Sequence, residues 1–114
     1  MMTKEEPESS FPDSLTLELR RGVIILAVLS QLKEDEYGYS LMSNLTEKGL
    51  EIDQGTLYPL LRRLESRGLL VSDWRVEESR PRRYYRISPQ GAELLPMLIE
   101  EWNRLTEVMK GLLQ

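Results

Sequence analysis

The sequence predicts a mainly α-helical fold with one small β-hairpin, in the order of three helices, the hairpin and a further C-terminal helix. Apolar residues recur at helical spacing in four stretches, and two short segments with strand-like alternation follow the third of them. Glycine and proline lie at most of the boundaries between these stretches. With 114 residues, the chain has the size of one small domain.

The beginning of the chain combines a polar tail with an apolar helix. Residues 1–13 are rich in glutamate, serine and proline, which predicts a disordered tail. A first helix is then expected to run to about Leu32. Its second half, residues 22–29, is apolar on nearly every side, and a helix of this kind is buried. We expect a partner subunit to provide part of the cover, especially over Leu15 and Leu19.

The second predicted helix is short and covers residues 38–48, with Gly49 where a helix often ends in a left-handed residue. Before it lies a charged segment, residues 33–36, which we interpret as a solvated loop. The consecutive carboxylates of residues 34–36 lack the alternating ligands and the glycine of a calcium-binding loop. No metal site is therefore predicted there.

The third predicted helix, residues 54–68, has two different faces. Four leucines recur at helical spacing and form an apolar side: Leu57, Leu60, Leu61 and Leu64. The opposite side carries small, hydroxyl and guanidinium groups with almost no competing carboxylate: Gly55, Tyr58, Arg62, Arg63 and Ser66. The first side is suited to burial, and the second is suited to a negatively charged partner.

Pro59 interrupts this helix and leaves two interpretations open. A helix that begins at Asp53 would bend at Pro59, because the proline removes a backbone hydrogen bond, which costs about 3 kcal/mol. Alternatively, the regular part of the helix begins near Pro59 itself. Leu57 belongs to the leucine pattern, which favours the first interpretation with Asp53 as the N-cap.

Two strands, residues 69–76 and 82–87, are predicted next, joined into a hairpin by the turn-forming residues 77–81. Because side chains alternate along a strand, one face of the first strand carries Leu70, Ser72, Trp74 and Val76. Ile87 and Tyr85 are expected to point inward from the second strand, and we assign Tyr85 to the core.

The last helix is predicted to begin with Ser88 as its N-cap and Pro89 at its first position. Pro96 lies near its beginning, so we expect a bend or a new helix start there. Large apolar residues recur at spacings of 3 and 4 along this helix and form a seam of two heptads. With the first helix, the seam predicts a homodimer interface of Leu15, Leu19, Leu95, Leu98, Trp102, Leu105, Met109 and Leu112.

A helix-turn-helix followed by a two-stranded hairpin is the order of a winged helix, to which the last helix adds a dimerisation element. In this architecture the third helix enters the major groove of DNA and the hairpin reaches the flanking backbone. Hairpin arginines would hold phosphates, and the third helix would approach bases. Strand alternation implies that one of Arg82 and Arg83 points away from DNA. The predicted DNA-binding residues are Tyr39, Thr56, Tyr58, Arg62, Arg63, Arg80, Arg82 and Arg83.

The distribution of charge agrees with this prediction, although the whole chain has a formal net charge of −4. Residues 54–91 hold 8 basic and 4 acidic residues, and all of the basic ones are arginine. Residues 1–53 hold 5 basic and 11 acidic residues. Exposed charges beyond roughly 10 Å are largely screened, so the local patch decides what this surface attracts.

The composition excludes several classes of protein. The chain contains no cysteine and no histidine, which removes thiolate chemistry, the commonest general base and the commonest transition-metal ligand. We therefore predict a binding protein without cofactor or metal, and not an enzyme. The absence of cysteine and histidine also favours a reducing compartment, so we expect a cytoplasmic location. No apolar run is long enough to span a membrane, and the acidic N-terminus is unlike a signal peptide.

Several motifs in order resemble the PadR family of bacterial transcriptional regulators. They are residues 37–39 (YGY), 55–65 (GTLYPLLRRLE), 67–69 (RGL) and 82–88 (RRYYRIS), followed by Gly91. The single helix after Gly91 resembles the family's small subclass with one C-terminal helix. The predicted organisation of the chain is a disordered tail at 1–13, a winged-helix DNA-binding domain at 14–91 and a dimerisation helix at 92–114.

The resemblance also implies a homodimeric repressor, a palindromic operator and, in some members, release by a small molecule. The pair Glu101-Trp102 resembles a site where small members place a tryptophan across a flat apolar pocket between subunits. A small hydrophobic or planar effector would then contact Trp102, Leu98, Met97 and Leu19. The alternative function is a winged-helix protein–protein interaction module without specific DNA binding, because the fold alone does not determine function.

Overall fold

A computed structural model describes residues 10–114 of the chain, with side chains described from residue 14 onward. Its elements in order are α1 (Ser10–Gln31), β1 (Glu36–Tyr37), α2 (Gly38–Glu47), α3 (Gln54–Ser66), β2 (Leu70–Glu77), β3 (Arg80–Ile87) and α4 (Pro89–Leu112). The predicted fold class, mainly helical with a small β-hairpin, is confirmed. No helix among the described residues is long and apolar enough to cross a membrane.

The beginning of α1 differs from the prediction. The helix starts at Ser10, whereas the sequence pattern extends the polar tail to residue 13. Residues 1–9 of that predicted tail lie outside the described residues. Farther along, Ile24, Val28 and Leu29 of α1 are buried, as the apolar run predicts.

The sheet contains one strand that the sequence pattern does not reveal. The strands lie in the order β1-β3-β2, and both neighbouring pairs are antiparallel. β1 has only two residues, Glu36 and Tyr37, which pair with Tyr85 and Tyr84 of β3. A strand of two residues shows no alternation that could be read from sequence. The predicted solvated loop is therefore partly wrong, because Glu36 is in the sheet and accepts hydrogen bonds from Ser40 and Asn44.

The core lies between the helices and the inner face of the sheet. All four leucines of the apolar side of α3 are at most 4% exposed. Leu70 and Tyr85 close the core from the hairpin, so the assignment of Tyr85 to the core is confirmed. Trp74 and Val76 are predicted to share the face of Leu70, but they lie beyond the core and are 63% and 74% exposed.

Both ends of α3 follow from local sequence. Asp53 caps the beginning, with its carboxylate accepting the Thr56 backbone N–H at 2.8 Å. Pro59 lies inside the helix, so α3 begins after the Asp53 cap, as the first of the two interpretations has it, and not near Pro59. Gly68 ends the helix with a φ of +82°, and Leu69 N–H donates to the Leu64 carbonyl. Together with the bond from Gly68 N–H to the Glu65 carbonyl, this bond forms a Schellman motif, which requires a left-handed residue.

Helix α4 begins as predicted and then departs from the prediction. Ser88 is its N-cap, and the helix continues through Pro96 without a new start. The predicted domain boundary after Gly91 therefore falls inside one helix. Leu95 is only 3% exposed and packs in the core of its own chain. The prediction of Leu95 as a dimer contact is consequently corrected, because almost none of its surface is left for a second subunit.

Candidate nucleic-acid interface

A groove of about 700 Å³ separates the outer side of α3 from the hairpin. Four arginines and five aromatic side chains line it, and none of its described lining residues is acidic. A second groove of about 660 Å³, beside α1 and α2, differs because Glu47, Glu51 and Asp53 are part of its lining. The first groove, which we call the α3–hairpin groove, is lined by Tyr37, Gly38, Tyr39, Tyr58, Leu61, Arg62, Trp74, Arg80, Pro81, Arg82, Arg83 and Tyr85.

The wall formed by α2 and α3 depends on a close packing of two residues. Tyr58 is half-buried, and its ring lies so close to Gly38 that a Cβ there would be 2.6 Å from a ring carbon. Only glycine fits at this position without moving the ring. Tyr39, the next residue of α2, is 60% exposed. The two tyrosines thus differ, with Tyr58 packed in place and Tyr39 free to extend from the surface.

The arginines of α3 are exposed and available for contact. Arg62 lines the α3–hairpin groove, whereas Arg63 and Thr56 border a smaller depression beside α1. Within the described part of the chain, neither Arg62 nor Arg63 forms an ion pair with a carboxylate. Their guanidinium groups keep all of their N–H donors for an external partner.

The strand register places Arg82 and Arg83 on opposite faces of the hairpin, as strand alternation predicts. Arg83 is opposite Trp74 in the β2–β3 pair, and Arg82 is opposite Arg75. Arg83 donates to Glu65 of α3 and to Ser72 of β2, each at 3.0 Å. Its guanidinium carbon lies 5.6 Å from the centre of the Trp74 ring. Arg83 therefore links the hairpin to α3 on the side that faces the helix.

On the opposite face, charged and aromatic side chains alternate. Arg82 lies 4.5 Å from the centre of the Tyr37 ring and donates to Glu77 at 3.3 Å. The Tyr84 hydroxyl also donates to Glu77, at 2.7 Å, and this hydrogen bond raises the pKa of Tyr84. Arg82 is thus paired internally, although part of its side chain still reaches the groove.

Arg75 connects this face to the segment before β1. Its guanidinium donates to Asp35 and to Asp73, and these hydrogen bonds raise the pKa of Arg75. It also lies 4.2 Å from the centre of the Tyr84 ring. Asp35 is predicted to be part of a solvated loop, and its contact with Arg75 corrects that interpretation.

Arg80 lies beside the tip of the hairpin and is exposed. The two residues of the tip, Glu78 and Ser79, have φ values of 51° and 61°. Positive φ at both central residues is the geometry of a type I′ turn, which follows the twist of the strands. Within the described residues Arg80 has no carboxylate partner, so its charge faces solvent at the outer end of the groove.

Six of the eight predicted DNA-binding residues line the α3–hairpin groove: Tyr39, Tyr58, Arg62, Arg80, Arg82 and Arg83. Sequence reasoning misses Tyr37, Pro81 and Trp74 as further lining residues. It places Trp74 on the face that carries Leu70, and strand alternation does not give the distance along the strand at which the core ends. A tryptophan in a hairpin that is rich in arginine is the sequence signal that could have indicated this role of Trp74.

The residues of the predicted dimer interface lie on α1 and α4, away from the groove lining. Except for Leu95 and the half-buried Leu98, they are exposed, from 42% for Leu105 to 81% for Leu19. The residues of the predicted effector pocket overlap with this apolar surface. Leu19, Met97 and Trp102 are exposed, so a closed pocket there requires a second chain. Glu101, beside Trp102, accepts two hydrogen bonds from Arg104.

Comparison with known proteins identifies the family. Residues 25–96 match the family described as Transcriptional regulator PadR-like family. Transcriptional regulator Rv3488 of Mycobacterium tuberculosis is 42% identical over 79 residues, which are 68% of this chain and 74% of that protein.

Solved structures agree with the sequence match. The PadR family transcriptional regulator from Eggerthella lenta superposes with a TM-score of 0.83 at 45% identity, covering 92% of this chain and 94% of that one. A PadR-like transcription factor from Bacteroides fragilis gives a TM-score of 0.74 at 31% identity, covering 88% and 99%. The chain therefore belongs to the PadR-like family of transcriptional regulators, which are not enzymes.

Proposed function

We propose that this protein is a sequence-specific DNA-binding repressor that acts in the cytoplasm as a homodimer on a palindromic operator. The α3–hairpin groove is the observation that carries the proposal. Its described lining combines four arginines with five aromatic side chains and contains no carboxylate. A surface of this kind attracts a polyanion, although the whole chain is acidic.

In the proposed complex, the exposed side of α3 enters the major groove and the hairpin lies along the adjoining backbone. Arg62 and Arg63 have no internal ion pair among the described residues, and Arg62 is best placed for a base edge or a nearby phosphate. Arg80 at the hairpin tip is suited to a phosphate. Arg82 and Arg83 already have internal carboxylates, so they would contribute through their remaining N–H donors.

A second copy of the chain is the proposed cover for the exposed apolar surface of α1 and α4. Trp102, Leu105, Met109 and Leu112 form the exposed part of the seam, and Leu15 and Leu19 extend it. Each large side chain contributes about 1.5–3 kcal/mol when fully buried. Two-fold symmetry would present two copies of α3 to two half-sites, as a palindromic operator requires.

A fluorescence-anisotropy titration with DNA from the protein's own promoter tests DNA binding. We expect Arg62→Ala to weaken specific binding by about 1–3 kcal/mol, because it removes an unpaired guanidinium from the groove. Arg104→Ala is the matched control, since Arg104 is an exposed arginine on α4 that is paired with Glu101. The DNA affinity of the Arg104→Ala variant should equal that of the wild type.

Salt dependence distinguishes DNA recognition from the alternative of a protein–protein module. Counterion release predicts that the logarithm of the DNA affinity falls steeply and linearly with the logarithm of the salt concentration. The absence of a specific complex at every salt concentration would refute the proposed function. Tight binding to an acidic protein with no specific DNA complex would support the module instead.

An effector site between the subunits is the remaining part of the proposal. Leu19, Met97, Leu98 and Trp102 would line it, and a planar hydrophobic compound bound there should quench Trp102 fluorescence. A Trp74→Phe variant leaves Trp102 as the single tryptophan of the chain. Unchanged emission of this variant across a panel of such compounds would show that the dimer contains no such pocket.

A further inference from the structure

The outer half of the hairpin carries an apolar strip that the protein leaves uncovered. Trp74 and Val76 of β2 are 63% and 74% exposed, and the exposed Pro81 lies opposite Val76 in the strand register. We call Trp74, Val76 and Pro81 the wing strip. Large exposed apolar side chains that lie together commonly mark an interaction surface.

The wing strip is separate from the proposed dimer surface. The exposed apolar residues of the dimer surface are on α1 and α4, whereas Trp74 and Pro81 line the α3–hairpin groove. The strip also contributes nothing to the core, which ends along the hairpin at Leu70 and Tyr85. The packing of the described residues therefore gives the strip no role in the core.

One neighbouring side chain, that of Arg83, lies over the Trp74 ring. The Arg83 guanidinium lies 5.6 Å from the centre of its ring, and Arg83 is in turn bound to Glu65 at 3.0 Å. This chain of contacts connects the tryptophan to α3.

The charge around the strip specifies its partner. Trp74 and Pro81 share a groove with Arg62, Arg80, Arg82 and Arg83, and no acidic residue belongs to the described lining. The partner must therefore be an anion that also offers apolar surface. DNA meets both requirements, because its phosphates alternate with nonpolar deoxyribose rings, and proteins use apolar side chains in its grooves.

We propose that the wing strip makes an apolar contact with the deoxyribose surface of the operator and that Trp74 is its central residue. The inference rests on the proposed DNA-binding function and adds a contact that carries no charge. Phosphate contacts release counterions and weaken with salt, whereas an apolar contact does not. The two kinds of residue can therefore be separated by one measurement, the salt dependence of the affinity.

The first test compares Trp74→Ala, Trp74→Phe and Arg80→Ala in operator titrations at several salt concentrations. Trp74→Ala should weaken binding on the order of 10–100-fold with an unchanged salt slope, because the apolar surface would be missing from both subunits of a dimer. Trp74→Phe should restore most of the affinity. Arg80→Ala should instead reduce the slope, by about one for each phosphate that the arginine no longer neutralises. Circular dichroism of each variant serves as the control that it is folded.

The second test observes Trp74 directly. In a Trp102→Phe background, Trp74 is the single tryptophan of the chain, and acrylamide quenching reports its exposure. Saturating operator DNA should protect it from acrylamide by several-fold. Specific DNA binding with an unprotected Trp74, or an unchanged affinity of Trp74→Ala, would overturn this inference and leave the proposed function intact. Failure of the wild type to bind any DNA would overturn both.

Discussion

At the scale of single residues, Ser88 joins the segment after α3 to the beginning of α4. Its hydroxyl donates to the Gly68 carbonyl at 2.6 Å and accepts the Gly91 backbone N–H at 3.0 Å. Its own backbone N–H donates to the Leu69 carbonyl. One small side chain thus connects the end of α3 to the beginning of α4, and it is only 5% exposed.

Ser88→Ala should lower the free energy of unfolding by about 2 kcal/mol, because it removes a helix cap and leaves buried polar groups without partners. Chemical denaturation at a fixed protein concentration measures the change. Ser66→Ala is the matched control, since Ser66 is exposed and its hydroxyl, within the described part of the chain, bonds only to the Arg63 carbonyl of its own helix. A loss of equal size in both variants would contradict the role assigned to Ser88.

For single residues of the site, sequence reasoning correctly predicts the position of Arg62 but not the partners of the hairpin arginines. The side of α3 that carries Arg62 follows from helical periodicity, because the burial of Leu57 and Leu61 leaves Arg62 outside. The partners of Arg82 and Arg83 could not be predicted in this way. Glu65 is 18 residues from Arg83 in sequence, and only the packing of the hairpin against α3 brings them together.

At the scale of elements, the beginning of α4 packs closely against the hairpin. A Cβ at Gly91 would lie 2.3 Å from the Leu69 carbonyl oxygen and 2.7 Å from Cγ1 of Ile87. The carbonyl cannot move easily, because it accepts the Ser88 N–H. Glycine at this position therefore sets the distance between α4 and the end of α3.

Gly91→Ala should lower the free energy of unfolding by about 1–3 kcal/mol through steric overlap. Gly22→Ala is the matched control in α1, where, among the described residues, the added Cβ has no heavy atom within 4 Å apart from its chain neighbours and the adjacent backbone of its own helix. This control should gain roughly 0.5–1 kcal/mol, because alanine has the higher helix propensity. Thermal unfolding of the two variants should shift in opposite directions, and a stabilised Gly91→Ala protein would refute the packing argument.

Element lengths show a further difference between prediction and structure. The sequence predicts a five-residue connection at 77–81 in the hairpin, but the strands reach Glu77 and Arg80 and leave a two-residue turn. The residues of the tip are glutamate and serine, not the glycine or asparagine that usually mark such a turn. Because neither residue has the preference for positive φ that glycine and asparagine have, the sequence does not reveal that the turn is confined to these two positions.

At the scale of the whole molecule, the proposed dimer gives a direct prediction. Leu105→Glu should convert the protein to a monomer at micromolar concentration, because it places a charge in the apolar seam. Asn103→Glu is the matched control, since it adds the same charge on another side of α4. Sedimentation equilibrium measures the molecular mass. A dimer that persists in Leu105→Glu would show that the seam of α4 is not the interface.

The sequence by itself determined the helices, the hairpin and the polarity of α3. These features depend on periodicity and on capping residues such as Asp53 and Ser88, which act over a few neighbouring positions. The tertiary structure decided which arginines form internal ion pairs. Arg75, Arg82 and Arg83 pair with carboxylates that lie on other segments or strands. It also decided that Leu95 is covered and Trp74 exposed, since only the packed chain fixes where the core ends.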